Sequence, residues 1–220
     1  MRYFIFISLA LIFTVSGLFA QEDTGYFKDG SKAVLFQFNA FSPNSYNGGV
    51  GGKYFVSEEF AIRAGLIFAN AKQTLPFQGT AGVDGESSAS QYGIFAAVEK
   101  HLTDSRISPY IGGGFMLVST STERETAEAD PADQQTIKNS RGGELGYQGG
   151  SEFGFALLGG FEFFVIKNLS LGAEYQLYYS KISRKDEEVT QGNVTVTFEQ
   201  GSTTRMGLSS SGILTLAFYF

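Results

Sequence analysis

The last nine residues, Gly212–Phe220, constrain the fold more than any other stretch of the sequence. Read with the period of two that a β-strand imposes, they present one wholly apolar face. That face carries Leu214, Leu216, Phe218 and Phe220. At the edge of a soluble protein, such a strand would be an unpaired template for aggregation. In a barrel within lipid it has no free edge, and its apolar face meets acyl chains. The stretch therefore predicts an all-β chain that closes into a transmembrane barrel.

The N-terminus has the layout of a secretory signal peptide. Met1 and Arg2 supply the positive charge, Tyr3–Phe19 is an almost unbroken apolar run, and the small Ala20 precedes polar residues. This layout predicts cleavage after Ala20. The rival interpretation is a transmembrane anchor, because the run approaches the length that spans a bilayer. The signal peptide is favoured because the rest of the chain is β-patterned and shows no second apolar run of helical length.

Length and composition fit a single barrel and exclude several classes of function. The chain has 220 residues, with 28 Gly and 22 Phe, which suit curved strands and a membrane interface. It has no Cys, so it contains neither disulfides nor thiol ligands. The net charge of −6 leaves no basic excess for binding nucleic acid, and no cofactor is expected. We expect a signal peptide at residues 1–20, a periplasmic lead-in at 21–30 and a barrel domain at 31–220.

Alternation of apolar and polar residues predicts eight strands of about ten residues, the length that a tilted strand needs to cross a bilayer. They are Lys32–Phe41, Gly48–Val56, Phe60–Ala71, Ser90–His101, Pro109–Ser119, Glu152–Phe164, a strand beginning at Leu169, and Met206–Phe220. Consecutive glycines, Gly112–Gly114, leave the facing of the fifth strand ambiguous. The fold class expected is an eight-stranded antiparallel up-and-down transmembrane β-barrel.

The connections after the first alternate between short turns and long polar segments, as in outer-membrane barrels with short periplasmic turns and long outer loops. The long segments are Lys72–Ser88, Thr120–Gly149 and Ser180–Arg205. Val194–Phe198, within the last of these, is strand-like. We expect a hairpin around Gln191–Asn193 that pairs with an extension of the seventh strand.

The placement of charge predicts which face of the barrel points outward. A soluble lipocalin-like barrel would put its polar residues outside and its apolar face inside. Here the apolar face carries so many Phe and Tyr that it would overfill the narrow interior of eight strands, so it is expected to face lipid. The opposite face then brings five charged residues into the lumen: Lys53, Arg63, Glu99, Glu162 and Glu174. Charges in such an interior persist only when paired, which predicts a salt-bridge network that plugs the lumen. A selectivity constriction in a narrow pore is the alternative.

Three other patterns do not support a site. The glycine-rich Gly48–Tyr54 lacks the first glycine of a phosphate loop and has Tyr54 where Ser or Thr would bind magnesium. His101 is the only histidine, and the strand count puts it at the inner rim, whereas a lipid hydrolase needs its catalytic residues at the outer rim. The acidic segment Glu123–Asp133 matches no calcium loop, so a solvated loop is the simpler interpretation.

With these features the chain resembles the small outer-membrane β-barrel family, which includes OmpA-type and OmpW-type transmembrane domains and the PorT-like barrels of Bacteroidetes-type bacteria. The resemblance lies in the signal peptide and in the segments Gly51–Phe55, Ser108–Gly114 and Leu216–Phe220. It implies a location in the outer membrane of a Gram-negative bacterium, in contact with outer-membrane lipid. It also implies that the barrel-assembly machinery reads Leu216, Phe218 and Phe220 as its signal.

The resemblance specifies architecture more than activity, so three functions stay open. The first is a structural or surface-interaction barrel with a plugged lumen, whose outer loops meet lipid or a partner. The second is a narrow channel or a conduit for small hydrophobic solutes. The third is an embedded lipid-modifying enzyme, for which the sequence gives little support, so that a non-enzymatic protein is expected.

Overall fold

The computed structural model describes residues 25–42, 45–208 and 213–220, so the predicted signal peptide lies outside the described residues. Their secondary structure is twelve β-strands and one 3₁₀ turn, Pro131–Asp133. The strands are β1 Lys32–Ser42, β2 Ser45–Phe55, β3 Phe60–Leu75, β4 Gly85–His101, β5 Ile107–Glu125, β6 Gln135–Lys138, β7 Gly150–Ile166, β8 Leu169–Arg184, β9 Glu187–Gln191, β10 Val194–Phe198, β11 Ser202–Leu208 and β12 Ile213–Tyr219. Within these ranges, no helix is long and apolar enough to cross a membrane.

Eight strands close into a ring through antiparallel ladders, in the order β1, β2, β3, β4, β5, β7, β8, β12 and back to β1. The stagger of the ring can be measured by moving from Leu35 to its ladder partner on the next strand, and so on around the barrel. In the direction of β2 this path reaches β8 at Ser180, whereas in the direction of β12 it reaches β8 at Ser170. The two routes meet β8 ten residues apart, and such a stagger goes with strongly tilted strands. The prediction of an eight-stranded antiparallel transmembrane β-barrel is confirmed.

The apolar face of the barrel strands points outward, as the alternation predicts. On β7, Phe155 and Leu157 are 54% and 65% exposed, whereas the adjacent Leu158 is buried at 6%. The facing of the glycine-rich β5 is resolved in the same way, because Ile111 and Phe115 are exposed on its outer face. The outer surface of the ring is therefore apolar, whereas the inner face holds small and polar residues together with a few large buried side chains such as Leu158.

The three segments predicted as long loops are folded into strands over much of their length, so that prediction is wrong there. β3 continues to Leu75 and β4 already begins at Gly85, and the two strands pair as far as their ends. β5 likewise continues to Glu125. The continuation of β8 to Arg184 confirms the predicted extension of the seventh strand. A strand with water on both faces needs no alternation of apolar and polar residues. The alternation that predicted the other strands therefore does not mark these extensions.

The predicted hairpin around Gln191–Asn193 is present as β9 and β10, with Gly192 in the left-handed region at φ +55°. Its partner differs from the prediction, because β9 pairs with β6 and not with β8. Over its outer half, β8 is already flanked by β7 and β11, so both of its edges are occupied. β6 in turn pairs with the outer end of β5. We refer to β6, β9 and β10 as the outer sheet.

The predicted last strand, Met206–Phe220, is two strands. β11 and β12 both pair with β8, but Leu208 lies opposite Leu177 whereas Ile213 lies opposite Glu174. The two ladders are therefore out of register by two residues, because five positions separate Leu208 from Ile213 and three separate Leu177 from Glu174. Residues 209–212 lie outside the described residues. β12 pairs with β1 and closes the ring.

Candidate functional site: a lumen closed in two layers

The five charged residues predicted for the lumen come together at one level of the barrel. β2 and β3 pair so that Lys53 lies directly opposite Arg63. The carboxylates of Glu99, Glu162 and Glu174 come from β4, β7 and β8 and surround the two cations. All five residues are buried, with exposures between 1% and 6%. We refer to this group as the ionic tier.

Lys53 is fully satisfied as a donor. Its Nζ lies 2.8 Å from Glu99 Oε2, 3.0 Å from Glu162 Oε2 and 3.0 Å from His101 Nε2. An ammonium has three N–H donors and no acceptor, so each donor has one partner. The side chain is thereby fixed across the lumen between β4 and β7.

Arg63 links the same network to β8. Its Nη1 lies 2.9 Å from Glu99 Oε1, and its Nη2 donates to Glu174 Oε2 at 2.6 Å. The two oxygens of Glu99 therefore serve different cations, which makes this carboxylate the bridge of the tier. The Nε of Arg63 is buried without a hydrogen-bond partner.

Three carboxylates face only two cations, so Glu162 and Glu174 each contact a single cation. Neutral side chains donate further hydrogen bonds to these two carboxylates. Tyr219 donates to Glu162 Oε1 at 2.7 Å, and Ser170 makes a close hydrogen bond to the same oxygen. Glu174 accepts from Tyr110 at 2.9 Å and from Gln176 at 2.7 Å. Buried charge is tolerated only when its remaining lone pairs are satisfied in this way. In the described part of the chain, no group of three or more His, Asp and Glu side chains could hold a metal ion.

Sequence reasoning missed these neutral donors, although their signal was available. Tyr110, Ser170, Gln176 and Tyr219 all occupy inward positions in the alternation of their strands. The predicted network contains only the charged residues, because alternation places a neutral polar side chain on the inward face without showing which carboxylate it contacts.

His101 has a serine and a carboxylate beside it, the side-chain types of a hydrolase triad. Its Nδ1 lies 2.7 Å from Ser108 Oγ, and its Nε2 lies 3.4 Å from Glu99 Oε2. The Ser108 hydroxyl, however, donates to the main-chain oxygen of Thr103 at 2.5 Å. Ser108 therefore accepts from the imidazole, which cannot take the serine proton. Both side chains are also buried, so this arrangement does not activate a nucleophile.

A layer of rings lies directly beyond the ionic tier, toward the end of the barrel that holds the three short turns. Lys53, Glu99 and Glu162 are each followed two positions later by a ring on the same inward face. The rings are Phe55, His101 and Phe164, and Tyr219 packs beside them with its centroid 5.3 Å from that of Phe164. We refer to these four residues as the aromatic tier. The Lys53 Nζ lies 5.2 Å from the Phe55 centroid, so the two layers are in contact.

The segment before β1 crosses beneath the barrel and places Phe27 in its mouth. Phe27 is 4% exposed, and its ring stacks on Phe55 with centroids 4.3 Å apart. It also meets the His101 ring edge-on at 4.9 Å. Gly30 N–H donates to Phe55 O at 2.9 Å, and Phe55 N–H donates to Ser31 O at 2.9 Å. Residues Gly25–Ser31, which overlap the predicted lead-in at 21–30, thus form a strap whose Phe27 ring fills the mouth, a feature that sequence analysis did not predict.

The free space in the lumen is divided by these layers. At the ionic tier the remaining void is about 10 Å³, in the range that holds a single water molecule. On the side away from the turns, a cavity of about 350 Å³ extends from Arg63 and Gln176 outward to Glu152 and Arg205. The cavity therefore ends blindly at the ionic tier.

The residues predicted as an assembly signal lie on the outer face of β12. Leu216, Phe218 and Phe220 point away from the lumen, and Phe36 on β1 meets the Phe218 ring edge-on at 6.0 Å. Phe220 is 78% exposed at the turn end, where its N–H donates to Lys32 O at 3.0 Å. The ladder between β1 and β12 thus continues to the last residue.

Solved structures with a similar arrangement of strands are outer-membrane proteins. A major outer membrane protein from Thermus thermophilus matches with 13% identity and a TM-score of 0.49, over 86% of this chain and 99% of that chain. The N-terminal β-barrel domain of Pseudomonas aeruginosa OprF matches with 11% identity and a TM-score of 0.35, over 88% and 100%. Ail, the attachment invasion locus protein of Yersinia pestis, matches with 13% identity and a TM-score of 0.36, over 87% and 99%.

These likenesses are too distant to carry an argument about function, because every TM-score is below 0.5. No protein-family model matches the sequence, and no curated protein matches it significantly. The chemistry of the lumen and of the outer surface must therefore carry the functional proposal.

Proposed function

We propose that this protein is an outer-membrane β-barrel with a closed lumen, and that its role is structural or lies in interactions at the cell surface. The observation that carries the proposal is the ionic tier, which leaves a void of only about 10 Å³ across the lumen. Opening a path for ions would require breaking buried ion pairs. Removing one partner of such a pair costs on the order of 3–5 kcal/mol, so spontaneous opening is rare.

The outer-membrane location is supported by the apolar outer surface of the ring and by the predicted signal peptide. The turn end then faces the periplasm, as in other barrels with short periplasmic turns. Outer-membrane lipid covers the apolar face, and the barrel-assembly machinery inserts the chain after recognising Leu216, Phe218 and Phe220. The outer sheet and the extended ends of β3, β4, β5 and β8 project on the other side.

The outer sheet is the surface that best fits a role in interaction. All five residues of β10 are exposed, and three of them are apolar, with Val194 67% exposed. β10 is also the last strand in the sheet order, so one of its edges is not paired in the described structure. Its sequence, Val-Thr-Val-Thr-Phe, contains no charge and no proline, the devices that normally protect such an edge. An exposed, unprotected edge of this kind is suited to pairing with a strand of another protein.

The two alternatives fit the geometry less well. A narrow channel or a conduit for small hydrophobic solutes needs a continuous path, whereas the outer cavity ends at Arg63. An embedded lipid-modifying enzyme needs catalytic residues at the outer rim, whereas His101 and Ser108 lie buried near the turns.

Conductance of the refolded protein in planar bilayers tests the proposal directly. We expect no channel events from the wild-type protein. The variant Glu162→Gln/Glu174→Gln should unfold at a lower temperature but stay silent, because the side chains keep their size. Steady single-channel currents from the wild type, together with the mobility shift on boiling that marks a folded barrel, would refute the closed lumen.

Fractionation of cells tests the location separately. The protein should be found in the outer-membrane fraction and should migrate faster on a gel before boiling than after it. A protein that stays in the soluble fraction, with the same mobility before and after boiling, is not the barrel proposed here.

A further inference from the structure

The aromatic tier and the strap meet only when the barrel is closed. Phe27 touches Phe55 on β2 and His101 on β4, and its ring lies 6.0 Å from that of Phe164 on β7. Phe164 in turn packs against Tyr219 on β12, the strand that completes the ring. Residues from three strands thus converge on Phe27, a side chain that comes from outside the barrel, and Phe164 links this group to the fourth strand, β12.

The strap is held by interactions that the ionic tier does not supply. The two main-chain hydrogen bonds between Phe55 and the strap residues Gly30 and Ser31 attach it along β2. A third links Tyr26 N–H to Asp104 O in the turn between β4 and β5, at 3.4 Å. The Tyr26 ring packs on Phe164 at 4.9 Å. Burial of four aromatic rings and main-chain pairing therefore hold this layer, whereas ion pairs hold the layer above it.

We propose that the aromatic tier with Phe27 is a second seal of the lumen, and that either seal alone keeps the barrel closed. The inference rests on the proposed function, because it takes a closed barrel as its starting point. It goes further in assigning a role to the strap, which excludes periplasmic water from the ion pairs of Lys53. If the ion pairs are lost, Phe27 and the aromatic tier still close the mouth of the barrel. If Phe27 is lost, the ionic tier still closes the lumen.

A pair of substitutions and their combination test the proposal. Phe27→Ala removes the ring that fills the mouth. Lys53→Ala/Glu162→Gln removes the cationic side chain that spans the lumen and one negative charge, and it keeps an oxygen that can accept from Tyr219 and Ser170. In planar bilayers we expect no channel events from either variant, and we expect channel events from the combination of both. The matched control combines Lys53→Ala/Glu162→Gln with Asp29→Ala, a substitution at an exposed position of the same strap. This control should show no channel events.

Each pattern of conductance has a definite meaning. Currents from Phe27→Ala alone, or from Lys53→Ala/Glu162→Gln alone, would overturn the inference, because one seal would then be insufficient. A silent combined variant that still shows the mobility shift on boiling would overturn it as well. Currents from the wild-type protein would refute the closed lumen of the proposed function, whereas currents from a single-seal variant with a silent wild type would refute only the second seal.

A fluorescent reporter keeps the test decisive if the combined variant does not fold. The chain contains no Trp, so Phe27→Trp introduces a single tryptophan at the mouth, whose emission can be excited separately from that of the 11 Tyr. In lipid vesicles its emission should be blue-shifted and protected from acrylamide. The protection should persist when Lys53→Ala/Glu162→Gln is added, because those substitutions leave the main-chain hydrogen bonds between the strap and Phe55 and the stacking of the ring at position 27 on Phe55 in place. Free access of acrylamide to this Trp, with or without those two substitutions, would show that the strap does not seal the mouth.

Discussion

The Nζ of Lys53 and the Nε2 of His101 lie 3.0 Å apart inside the lumen. Because an ammonium has only donors, Nε2 must accept, and the imidazole is neutral with its proton on Nδ1. That N–H donates to Ser108 Oγ, and the Ser108 hydroxyl donates to Thr103 O. A chain of hydrogen bonds thus runs from the ionic tier to the turn between β4 and β5. His101 belongs to the aromatic tier and contacts the ionic tier, and its tautomer is fixed by Lys53 and Ser108.

The first prediction is that His101 is a neutral imidazole protonated on Nδ1. In ¹⁵N-labelled protein refolded in lipid, the single histidine should show Nδ1 as the protonated nitrogen and Nε2 as the acceptor. Lys53→Met removes the donor at Nε2, so this preference should weaken and Nε2 should become able to donate to Glu99. Detection of a proton on Nε2 in the wild-type protein would contradict the hydrogen-bond chain.

The second prediction concerns Glu99, whose two oxygens bind different cations. Glu99→Gln must turn an amide NH₂ toward either Lys53 or Arg63, so a donor faces a buried cation. We expect this change to lower the free energy of unfolding by about 3 kcal/mol, at the lower end of the range for breaking a buried ion pair. Urea titration of the barrel in lipid vesicles, followed by the mobility shift on a gel, measures the effect.

The matched control is a carboxylate in an exposed ion pair. Glu59 Oε2 lies 3.4 Å from Lys100 Nζ, and both side chains are largely exposed. Glu59→Gln should change the free energy of unfolding by less than about 1 kcal/mol, because exposed pairs are weak. Equal effects of the two substitutions would mean that the ionic tier does not stabilise the barrel.

The sequence predicts the barrel within the membrane well, because there one physical rule governs every position. A strand that faces lipid on one side and a narrow interior on the other must alternate, and alternation places Lys53 and Glu174 on the inner face without knowledge of their partners. The level at which they meet also follows, since the turns set the register. The same alternation predicts that Phe220 faces outward.

The outer sheet and the strap could not be predicted from alternation, because their strands and loops do not lie between lipid and a narrow interior. Outside the membrane, β6 and β9 have water near both faces, so polarity no longer distinguishes a strand from a loop. The partner of the β9–β10 hairpin depends on which edges are already occupied, a property of the assembled sheet. Phe27 lies in a short polar segment, and only the three-dimensional mouth of the barrel shows that this one ring has a place to be buried.

The third prediction concerns Gly30, which lies in the left-handed region with φ +81° and has open space around it. A side chain there is strained by the backbone and not by its neighbours, at a cost of about 1–2 kcal/mol. Gly30→Ala should therefore loosen the strap. In the Phe27→Trp background, it should increase quenching by acrylamide and leave the unfolding of the barrel in urea unchanged.

Gly201→Ala is the control for Gly30→Ala. Gly201 also has open space around it, but its backbone is not in the left-handed region, so the added methyl group should leave the fluorescence of the introduced tryptophan unaffected. If both substitutions increased quenching equally, the effect would not arise from the strained backbone of the strap.

The last prediction separates two roles of Phe220. Its side chain is 78% exposed, so it contributes little packing to the folded barrel, and its main-chain N–H already completes the ladder with Lys32. Phe220→Ala keeps that hydrogen bond and removes only the ring. We expect near-normal stability after unassisted refolding in lipid. In cells we expect a marked loss of assembled protein, because we propose that the assembly machinery recognises this ring. Leu102→Ala, an exposed apolar residue at the same end of the barrel, should reduce neither. Equal losses in cells and in unassisted refolding would make Phe220 an ordinary packing residue.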